Sequence, residues 1–195
     1  MASWPKLLLL LTLCVAGGYV VGRAFWTAPE PAASTAAAVT RIPAFELKDL
    51  SGTRRSSGEW SSQALIINFW ATWCAPCRKE MPLLEQVHQE RSGRDLAVIG
   101  IAIDHDDAVR AFIGETGITY PILVGQQDAM KVAERFGPEF VGLPVTVIAA
   151  PGGEILKLHV GELHPGDLAM ILDVLDRFTS GRISLAAARK ALQKA

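Results

Sequence analysis

Cysteine is scarce in this sequence, with three among 195 residues. Cys14 lies in an apolar run near the amino terminus, which leaves Cys74 and Cys77 as the one close pair. A structural zinc site needs about four ligands, commonly from two such pairs. No His-x3–5-His pair follows Cys77 after the roughly 12–15 residues that separate the two pairs in a zinc finger. The shortage of ligands therefore argues against a metal site and leaves a two-cysteine site to explain.

A surplus of charge of either sign is also missing. The chain has 19 Lys and Arg against 20 Asp and Glu, a formal net charge of −1. Without a basic excess there is no electrostatic reason to expect binding to nucleic acid or to an acidic polymer. The sequence also has no internal repeat, and its length suffices for one domain with appendages.

The cysteine pair follows an apolar run and opens a helix. Residues 65–70 are rich in β-branched and aromatic side chains, which is typical of a buried strand. After a short turn, Cys74-Ala75-Pro76-Cys77 begins a helix. Pro76 suits the first helical turn because an N–H group there has no intrahelical partner. Residues three apart on a helix are neighbours, so Cys74 and Cys77 can close a disulfide with little strain.

The two cysteines have different surroundings, which predicts different roles. Cys74 lies at the helix N-terminus, where free N–H groups and the positive end of the helix dipole stabilise a thiolate. Cys77 lies inside the helix and should be shielded. A purely structural disulfide is the alternative, but the strand–turn–helix context favours redox chemistry. We predict that Cys74 is the attacking thiol and that Cys77 resolves the product.

Residues 69–82 carry a motif that points to a family. They read Phe-Trp-Ala-Thr-Trp-Cys-Ala-Pro-Cys-Arg-Lys-Glu-Met-Pro. This resembles the active site of thioredoxin-fold disulfide reductases, above all the membrane-tethered extracytoplasmic branch that includes TlpA and ResA. The resemblance spans roughly residues 42–178 and rests elsewhere on the order of elements and on Gly142-Leu143-Pro144. It implies an α/β thioredoxin-like fold with an N-terminal extension, a helix–strand insertion after the second core strand and an extra C-terminal helix.

Residues 1–26 predict a membrane anchor or a signal segment. The run at 4–22 has one charge, Lys6, and falls within the range of about 17–25 residues that a spanning helix needs. A cleaved signal peptide is the alternative, with Gly22 and Ala24 as the small residues around a cut. We favour the anchor, with Lys6 on the inner side and the remainder of the chain facing outward.

Three further parts are expected along the chain. Residues 27–40 are rich in Ala, Pro, Ser and Thr, which predicts a flexible linker. Residues 41–180 should form the thioredoxin-like domain. Residues 181–195 predict a C-terminal helix that Ser184 caps. This helix either packs on the domain or docks on a partner or a lipid surface.

Within the domain, the sequence predicts further elements. The apolar run at 96–103 is typical of a parallel strand covered on both faces. Residues 145–149 and 154–160 predict an antiparallel hairpin. Residues 54–62 are polar and predict a loop, with Trp60 tucked back on the domain. Three scattered histidines are expected on the surface rather than as metal ligands: His105, His159 and His164.

The resemblance assigns supporting residues to the site. Pro144 is expected to be cis and to face the cysteine pair, although most bonds before proline are trans. The Leu143 backbone would then pair with a substrate segment, as a strand adds to a sheet edge. Trp73 is expected to shield Cys74 and to offer an apolar contact surface.

Two residues, Asn68 and Glu80, bear on which group accepts protons at the site. Asn68 stands where many cytoplasmic thioredoxins have a buried Asp, and Asn cannot titrate. Glu80 matches a glutamate that in the TlpA and ResA branch is thought to line a cavity near the active site. We predict that Glu80 supplies the titrating carboxylate. The alternative is an exposed helix residue that pairs with Arg78 or Lys79 or has no partner.

These expectations combine into one functional prediction. The chain is expected to be an extracytoplasmic thiol:disulfide oxidoreductase, and a monomer that needs no cofactor. The resemblance implies that it reduces disulfides in exported proteins, with apocytochrome c or copper-site cysteines as substrates and a transmembrane thiol transporter as electron donor. It also implies a bacterial inner-membrane anchor with the catalytic domain in the periplasm, or secretion to the periplasm if the segment is cleaved.

Two alternatives remain open at this point. The first is an oxidase of the same fold, which would use its disulfide to oxidise folding proteins. The second is a copper-binding or copper-delivery module, because copper(I) prefers thiolate and thioether ligands. No His or Met forms a recognisable set with the cysteine pair in the sequence.

Overall fold

The computed structural model describes residues 39–91 and 93–193. The predicted anchor and residues 27–38 of the predicted linker lie outside the described residues. In the described ranges, no helix is both long enough and apolar enough to cross a membrane. The division of the chain into four parts therefore stays a prediction.

The described residues form seven strands and five α-helices. The strands are β1 (Glu46–Asp49), β2 (Arg54–Ser56), β3 (Ala64–Trp70), β4 (Leu96–Ile103), β5 (Ile122–Gly125), β6 (Val145–Ala149) and β7 (Ile155–Val160). The α-helices are α1 (Ala75–Arg91), α2 (Asp106–Thr116), α3 (Gln127–Glu134), α4 (Pro165–Thr179) and α5 (Leu185–Leu192). A short 3-10 helix covers Ser57–Trp60.

The strands form one mixed sheet in the order β2-β1-β5-β4-β3-β6-β7. β3 is an interior strand, parallel to β4 on one side and antiparallel to β6 on the other. β5 pairs parallel with β4 and antiparallel with β1. The unit α2–β5 is thus the predicted helix–strand insertion, and β6 with β7 is the predicted hairpin. The predicted thioredoxin-like α/β fold is confirmed.

Both faces of β3 are covered. Every residue of β3 is buried. On one face, Ile66 and Trp70 pack with apolar residues of α1, α4 and α5. On the other face, Ile67 and Phe69 pack with residues of α3 and with Trp60. This two-sided burial is the physical reason for the continuous apolar run in the sequence.

The loop predicted for residues 54–62 is wrong over its first part. β2 pairs antiparallel with β1, and the 3-10 helix follows at once. The Ser56 hydroxyl accepts a hydrogen bond from the Gly58 N–H at 3.3 Å, and the Glu59 carboxylate accepts one from the Ser56 N–H at 2.8 Å. These reciprocal bonds form a capping box, whose Ser-x-x-Glu signature is visible in the sequence. Trp60 is buried, as expected.

The C-terminal helix packs on the domain. Ser184 caps α5 by accepting a hydrogen bond from the Ala187 N–H at 3.3 Å. Ala188 and Leu192, on one face of α5, are fully buried against the core on the α1 side of the sheet. The buried face makes α5 part of the domain, as the packing alternative predicts.

A polar cluster joins α5 to the first described residues. Arg189 donates to the carbonyl oxygens of Ile155 at 2.8 Å and Thr40 at 3.2 Å, and to the Glu154 carboxylate at 3.1 Å. Arg41 also contacts Glu154, at 3.3 Å. β7 begins here, level with the first residues of β3, because Ala149 of β6 pairs with Leu65 on one side and with Ile155 on the other. The cluster therefore lies at the end of the sheet opposite to the cysteines, which follow the last residue of β3.

Candidate active site

The cysteine pair lies at the start of the helix that follows β3. Cys74 and Cys77 form a disulfide, with Cα atoms 5.3 Å apart. Helix α1 begins at Ala75, so Cys74 immediately precedes it and Pro76 is its second residue. The Cys77 N–H donates to the Cys74 sulfur at 3.3 Å. An N–H group at a helix N-terminus thus points at the sulfur that is predicted to become the thiolate.

The two cysteine residues differ in exposure. Cys74 has 5% of its surface exposed and Cys77 has none. Trp73, beside them, is 70% exposed. A partner in solution can therefore reach the Cys74 side of the disulfide only, next to a protruding indole. The roles of the two cysteines stay predictions.

Glu80 lies beneath the cysteines on the same helix and is fully buried. Its carboxylate accepts hydrogen bonds from Asn68 Nδ2 and from the Leu163 N–H, both at 2.6 Å. Burial raises the pKa of Glu80 to about 7; the two hydrogen bonds oppose this, and the charge of Glu162 adds to it. The alternative of an exposed helix residue is therefore wrong, and Glu80 can gain or lose a proton near neutral pH.

Asn68 holds this carboxylate without titrating. It projects from β3 on the same face as Trp70 and donates to Glu80 and, at 3.0 Å, to Thr146 Oγ1 on β6. Residues three and four apart share a helix face, so Glu80 lies one turn from Cys77. The structure thus brings together the two cysteines, Asn68 and Glu80.

The predicted cis-proline borders the same region. The Leu143–Pro144 peptide bond is cis, as expected. Phe69 on β3 pairs with Val145 on β6, which places Pro144 beside the end of β3. The Pro144 carbonyl accepts a hydrogen bond from the Gly161 N–H at 3.0 Å. Leu143 is half-buried, and its predicted role in substrate binding stays a prediction.

Several groups at the site were not predicted from the sequence. The Leu163 N–H is a backbone donor and leaves no signal in side-chain chemistry. Thr146 gave no signal either, because it lies in a strand whose other residues are all apolar. Asp104, which accepts hydrogen bonds from Thr72 in the turn before Cys74, did leave a signal. It follows the C-terminal end of a parallel strand beside β3, where functional groups of such sheets gather.

The three predicted surface histidines lie far from the cysteines in the sequence. His105 and His164 are exposed and His159 is half-buried. Throughout residues 39–91 and 93–193, no group of three or more His, Cys, Asp or Glu side chains is arranged to hold a metal ion.

A disulfide between a slightly exposed cysteine and a fully buried cysteine inside the helix is suited to thiol–disulfide exchange. On a thioredoxin-like sheet, this arrangement defines the class of thiol–disulfide oxidoreductases. The sequence comparison specifies the class further, because a model of the AhpC/TSA family matches residues 39–157. The chain belongs to this family.

Curated relatives and solved structures agree. The thiol-disulfide oxidoreductase ResA of Geobacillus kaustophilus is 29% identical, with 85% of this chain and 91% of that protein covered. The thioredoxin-like protein YneN of Bacillus subtilis is 33% identical, with 69% and 78% covered. The crystal structure of a thiol:disulfide interchange protein of the thioredoxin family from Chlorobium tepidum matches with a TM-score of 0.63 at 27% identity, with 70% and 95% covered. The chain is a ResA-like thiol–disulfide oxidoreductase.

Proposed function

We propose that the protein is an extracytoplasmic reductase of disulfides in exported proteins. The difference in access between Cys74 and Cys77 carries the mechanistic part of this proposal. On this basis we assign the attacking role to Cys74 and the resolving role to Cys77, and we propose Glu80 as the proton acceptor near them.

The reaction transfers two electrons in two exchange steps. The Cys74 thiolate attacks one sulfur of the substrate disulfide, which forms a mixed disulfide and releases the first substrate thiolate. The Cys77 thiol then loses its proton, and we assign the Glu80 carboxylate as the acceptor. The Cys77 thiolate attacks the Cys74 sulfur, which releases the second substrate thiolate and forms the Cys74–Cys77 disulfide. A dithiol donor must then return two electrons to the protein.

The charge around the pair supports the reductive direction. A strong oxidase of this type owes its potential to a stabilised reduced form, with an attacking cysteine of very low pKa. Here Ala75 and Pro76 between the cysteines carry no charge. Ionised Glu80, buried one turn below Cys77, disfavours a second negative charge on the thiols. A less stabilised thiolate form makes the protein a better donor of electrons.

The reduction potential of the Cys74–Cys77 couple tests the direction. We expect a value near that of thioredoxin, about −270 mV, and a value near about −120 mV would instead identify an oxidase. The full chain should be equilibrated in glutathione buffers of stepped ratio, and the fraction of alkylated cysteine should be read by mass spectrometry. The Cys14→Ser variant is the matched control, because it removes the third thiol and leaves the pair.

Location and partners form the second part of the proposal. The uncharged run within residues 4–22 supports an uncleaved anchor in the bacterial inner membrane, with the catalytic domain in the periplasm. The periplasm is kept oxidising, so a reductase there needs electrons from inside, and a transmembrane thiol transporter is the proposed donor. Apocytochrome c and copper-site cysteines are the proposed substrates, which would give the protein a role in cytochrome c maturation. We propose that it acts as a monomer.

Fractionation of the native host tests the location. We expect the full-length chain in the membrane fraction, resistant to extraction at alkaline pH, and its cysteines labelled by a maleimide that does not cross the inner membrane. A shortened chain in the periplasmic fraction would show instead that the first segment is cleaved. Labelling only after lysis would contradict the proposed orientation.

A further inference from the structure

The turn before Cys74 is fixed by hydrogen bonds to a side chain outside the turn. The Cys74 N–H closes the turn by donating to the Ala71 carbonyl at 3.2 Å. The Thr72 N–H, within the turn, points away and donates to the Asp104 carboxylate at 2.9 Å. The Thr72 hydroxyl donates to the same carboxylate oxygen, Oδ2, at 2.6 Å. One side chain therefore accepts both polar hydrogens of a residue two positions before the attacking cysteine.

Asp104 is itself fixed in place. It follows the last residue of β4, whose Ala102 pairs with Trp70 at the end of β3. Its side chain is 7% exposed, and its second oxygen accepts a hydrogen bond from the His105 N–H at 2.7 Å. Burial raises the pKa of Asp104, but the hydrogen bonds from Thr72 and His105 outweigh this, so the net pKa lies below its usual range. The carboxylate is thus a rigid acceptor that stays ionised at neutral pH.

We propose that Asp104, through Thr72, is a positioning residue for thiol–disulfide exchange at Cys74. The proposal rests on Cys74 as the attacking sulfur and holds for either direction of electron flow and for any substrate.

The need for such a contact follows from the reaction cycle. In the oxidised state, the disulfide itself fixes the Cys74 sulfur relative to the helix. In the reduced state this covalent link is gone, and Cys74 precedes the helix instead of lying within it. The Asp104–Thr72 hydrogen bonds do not depend on the disulfide. They keep the sulfur at the helix N-terminus, where the Cys77 N–H can reach it, during the step in which it must attack. A displacement of about 1 Å at a reacting centre can cost about 100-fold in rate.

A second buried carboxylate also accepts hydrogen bonds from the backbone N–H and the hydroxyl of one threonine, which supplies a control. Glu85 is 8% exposed and accepts from the Thr119 N–H at 2.7 Å and from the Thr119 hydroxyl at 2.5 Å. It lies eight residues after Cys77 on α1, about 12 Å along the helix axis. The Glu85–Thr119 contact therefore has the chemistry of the Asp104–Thr72 contact, at a distance from the sulfurs.

The experiment compares equivalent substitutions in the two contacts. Thr72→Val removes one hydroxyl beside Asp104, Thr119→Val removes one beside Glu85, and Thr72→Ser restores the hydroxyl. The reduced full chain of each variant should react with a small aromatic disulfide under stopped flow, and with iodoacetamide across a pH range. Melting temperatures of the oxidised proteins should be measured alongside.

We expect Thr72→Val to slow the attack on the disulfide by about tenfold, as a partial loss of positioning. The midpoint of Cys74 alkylation should move upward, towards the ordinary pKa of a cysteine, because the sulfur leaves the helix N-terminus. Thr72→Ser should recover the rate to within about twofold. Thr119→Val should lower the melting temperature and leave the rate and the alkylation midpoint unchanged. Equal rates in Thr72→Val and the unmodified protein, or equal slowing by Thr119→Val, would overturn the proposal.

Asp104→Asn is a second variant, which keeps the test possible if Thr72→Val does not fold. It keeps the shape of the side chain, and its two possible effects, on the charge near Cys74 and on the position of Cys74, change the rate in opposite directions. Loss of a negative charge alone would favour the Cys74 thiolate and speed its attack at neutral pH. Loss of the strong acceptor would loosen the turn and slow the attack. We expect a slower reaction; an unchanged or faster one would show that Asp104 does not position Cys74.

Discussion

Replacing Cys77 with serine is expected to turn the protein from a catalyst into a trap. Cys74 can still attack a substrate disulfide, but no second thiol lies behind it to release the mixed disulfide. Replacing Cys74 instead should lower disulfide reduction to the uncatalysed rate, because the hydroxyl of serine does not ionise at neutral pH and cannot replace the thiolate as nucleophile. The opposite behaviour of two substitutions three residues apart follows from the difference in exposure between Cys74 and Cys77.

Both variants should be made in the full chain with Cys14→Ser, so that every captured adduct belongs to the active pair. Adducts from the native host, separated without reductant and identified by mass spectrometry, should appear with Cys77→Ser and not with Cys74→Ser. Partial alkylation of the reduced protein provides an independent measurement and should label Cys74 first. Preferential labelling of Cys77, or adducts with Cys74→Ser alone, would reverse the assigned roles.

The second large effect is expected from Glu80→Gln, and it should appear even in the oxidised protein, in which neither active-site thiol titrates. Burial raises the pKa of Glu80 to about 7 from an ordinary value of 4.5. The folded state therefore binds a proton more tightly than the unfolded state does. Stability from this group is fully present below about pH 4.5 and is lost as the pH rises through about 7. The interval between the two pKa values corresponds to about 3 kcal/mol, as an order of magnitude.

Urea unfolding of the oxidised protein from pH 4 to pH 8 measures this loss directly. The unmodified protein should lose stability across the interval, and Glu80→Gln should not. Glu85→Gln is the matched control, since Glu85 is also buried in α1. Burial raises the pKa of Glu85, but its hydrogen bonds, chiefly from Thr119, outweigh this and leave the pKa lowered. Its contribution is therefore lost as the pH falls, the opposite sign.

The same substitution should change the reduced protein. Without the Glu80 charge, thiolates are less disfavoured, so the pH profile of Cys74 alkylation should move to lower pH in Glu80→Gln. In the unmodified protein, the pH profile of Cys74 alkylation should also be broader than that of one independent group. The reason is that the thiols and the Glu80 carboxylate titrate as a coupled set. Superimposable profiles for the two proteins, with the same dependence of stability on pH, would show that Glu80 is not the tuning carboxylate.

The parts of the fold that could be predicted are those encoded by short-range patterns. The apolar run of β3, the Cys74-Ala75-Pro76-Cys77 start of α1 and the Ser184 cap each depend on neighbours within a few residues. The burial of Glu80 was also accessible in principle, because it shares a helix face with Cys77 and Leu84, which are buried. Polar sequence alone misled over β2, where strand pairing with β1 overrides composition.

The remaining parts of the site depend on contacts between distant segments. Leu163 donates to Glu80 across 83 residues, and Thr72 donates to Asp104 across 32. Both contacts are created by strand order, since they link the ends of β3 and α1 to loops that follow other strands. No local pattern in a single sequence specifies which loop arrives at the end of β3. The cis-proline was placed by family resemblance, because a bond before proline is usually trans.

The Arg189 cluster has a practical consequence for how the protein can be handled. Because Arg189 binds the Thr40 carbonyl, the two ends of the described domain meet at one place. β3, seven residues long, runs from this end of the sheet to the turn before Cys74, a distance of about 20 Å in extended chain. Purification tags, fluorophores or surface attachment at either end of the domain will therefore be grouped on one side. The face that meets disulfide substrates stays clear for an electrode, a captured partner or a crystal lattice.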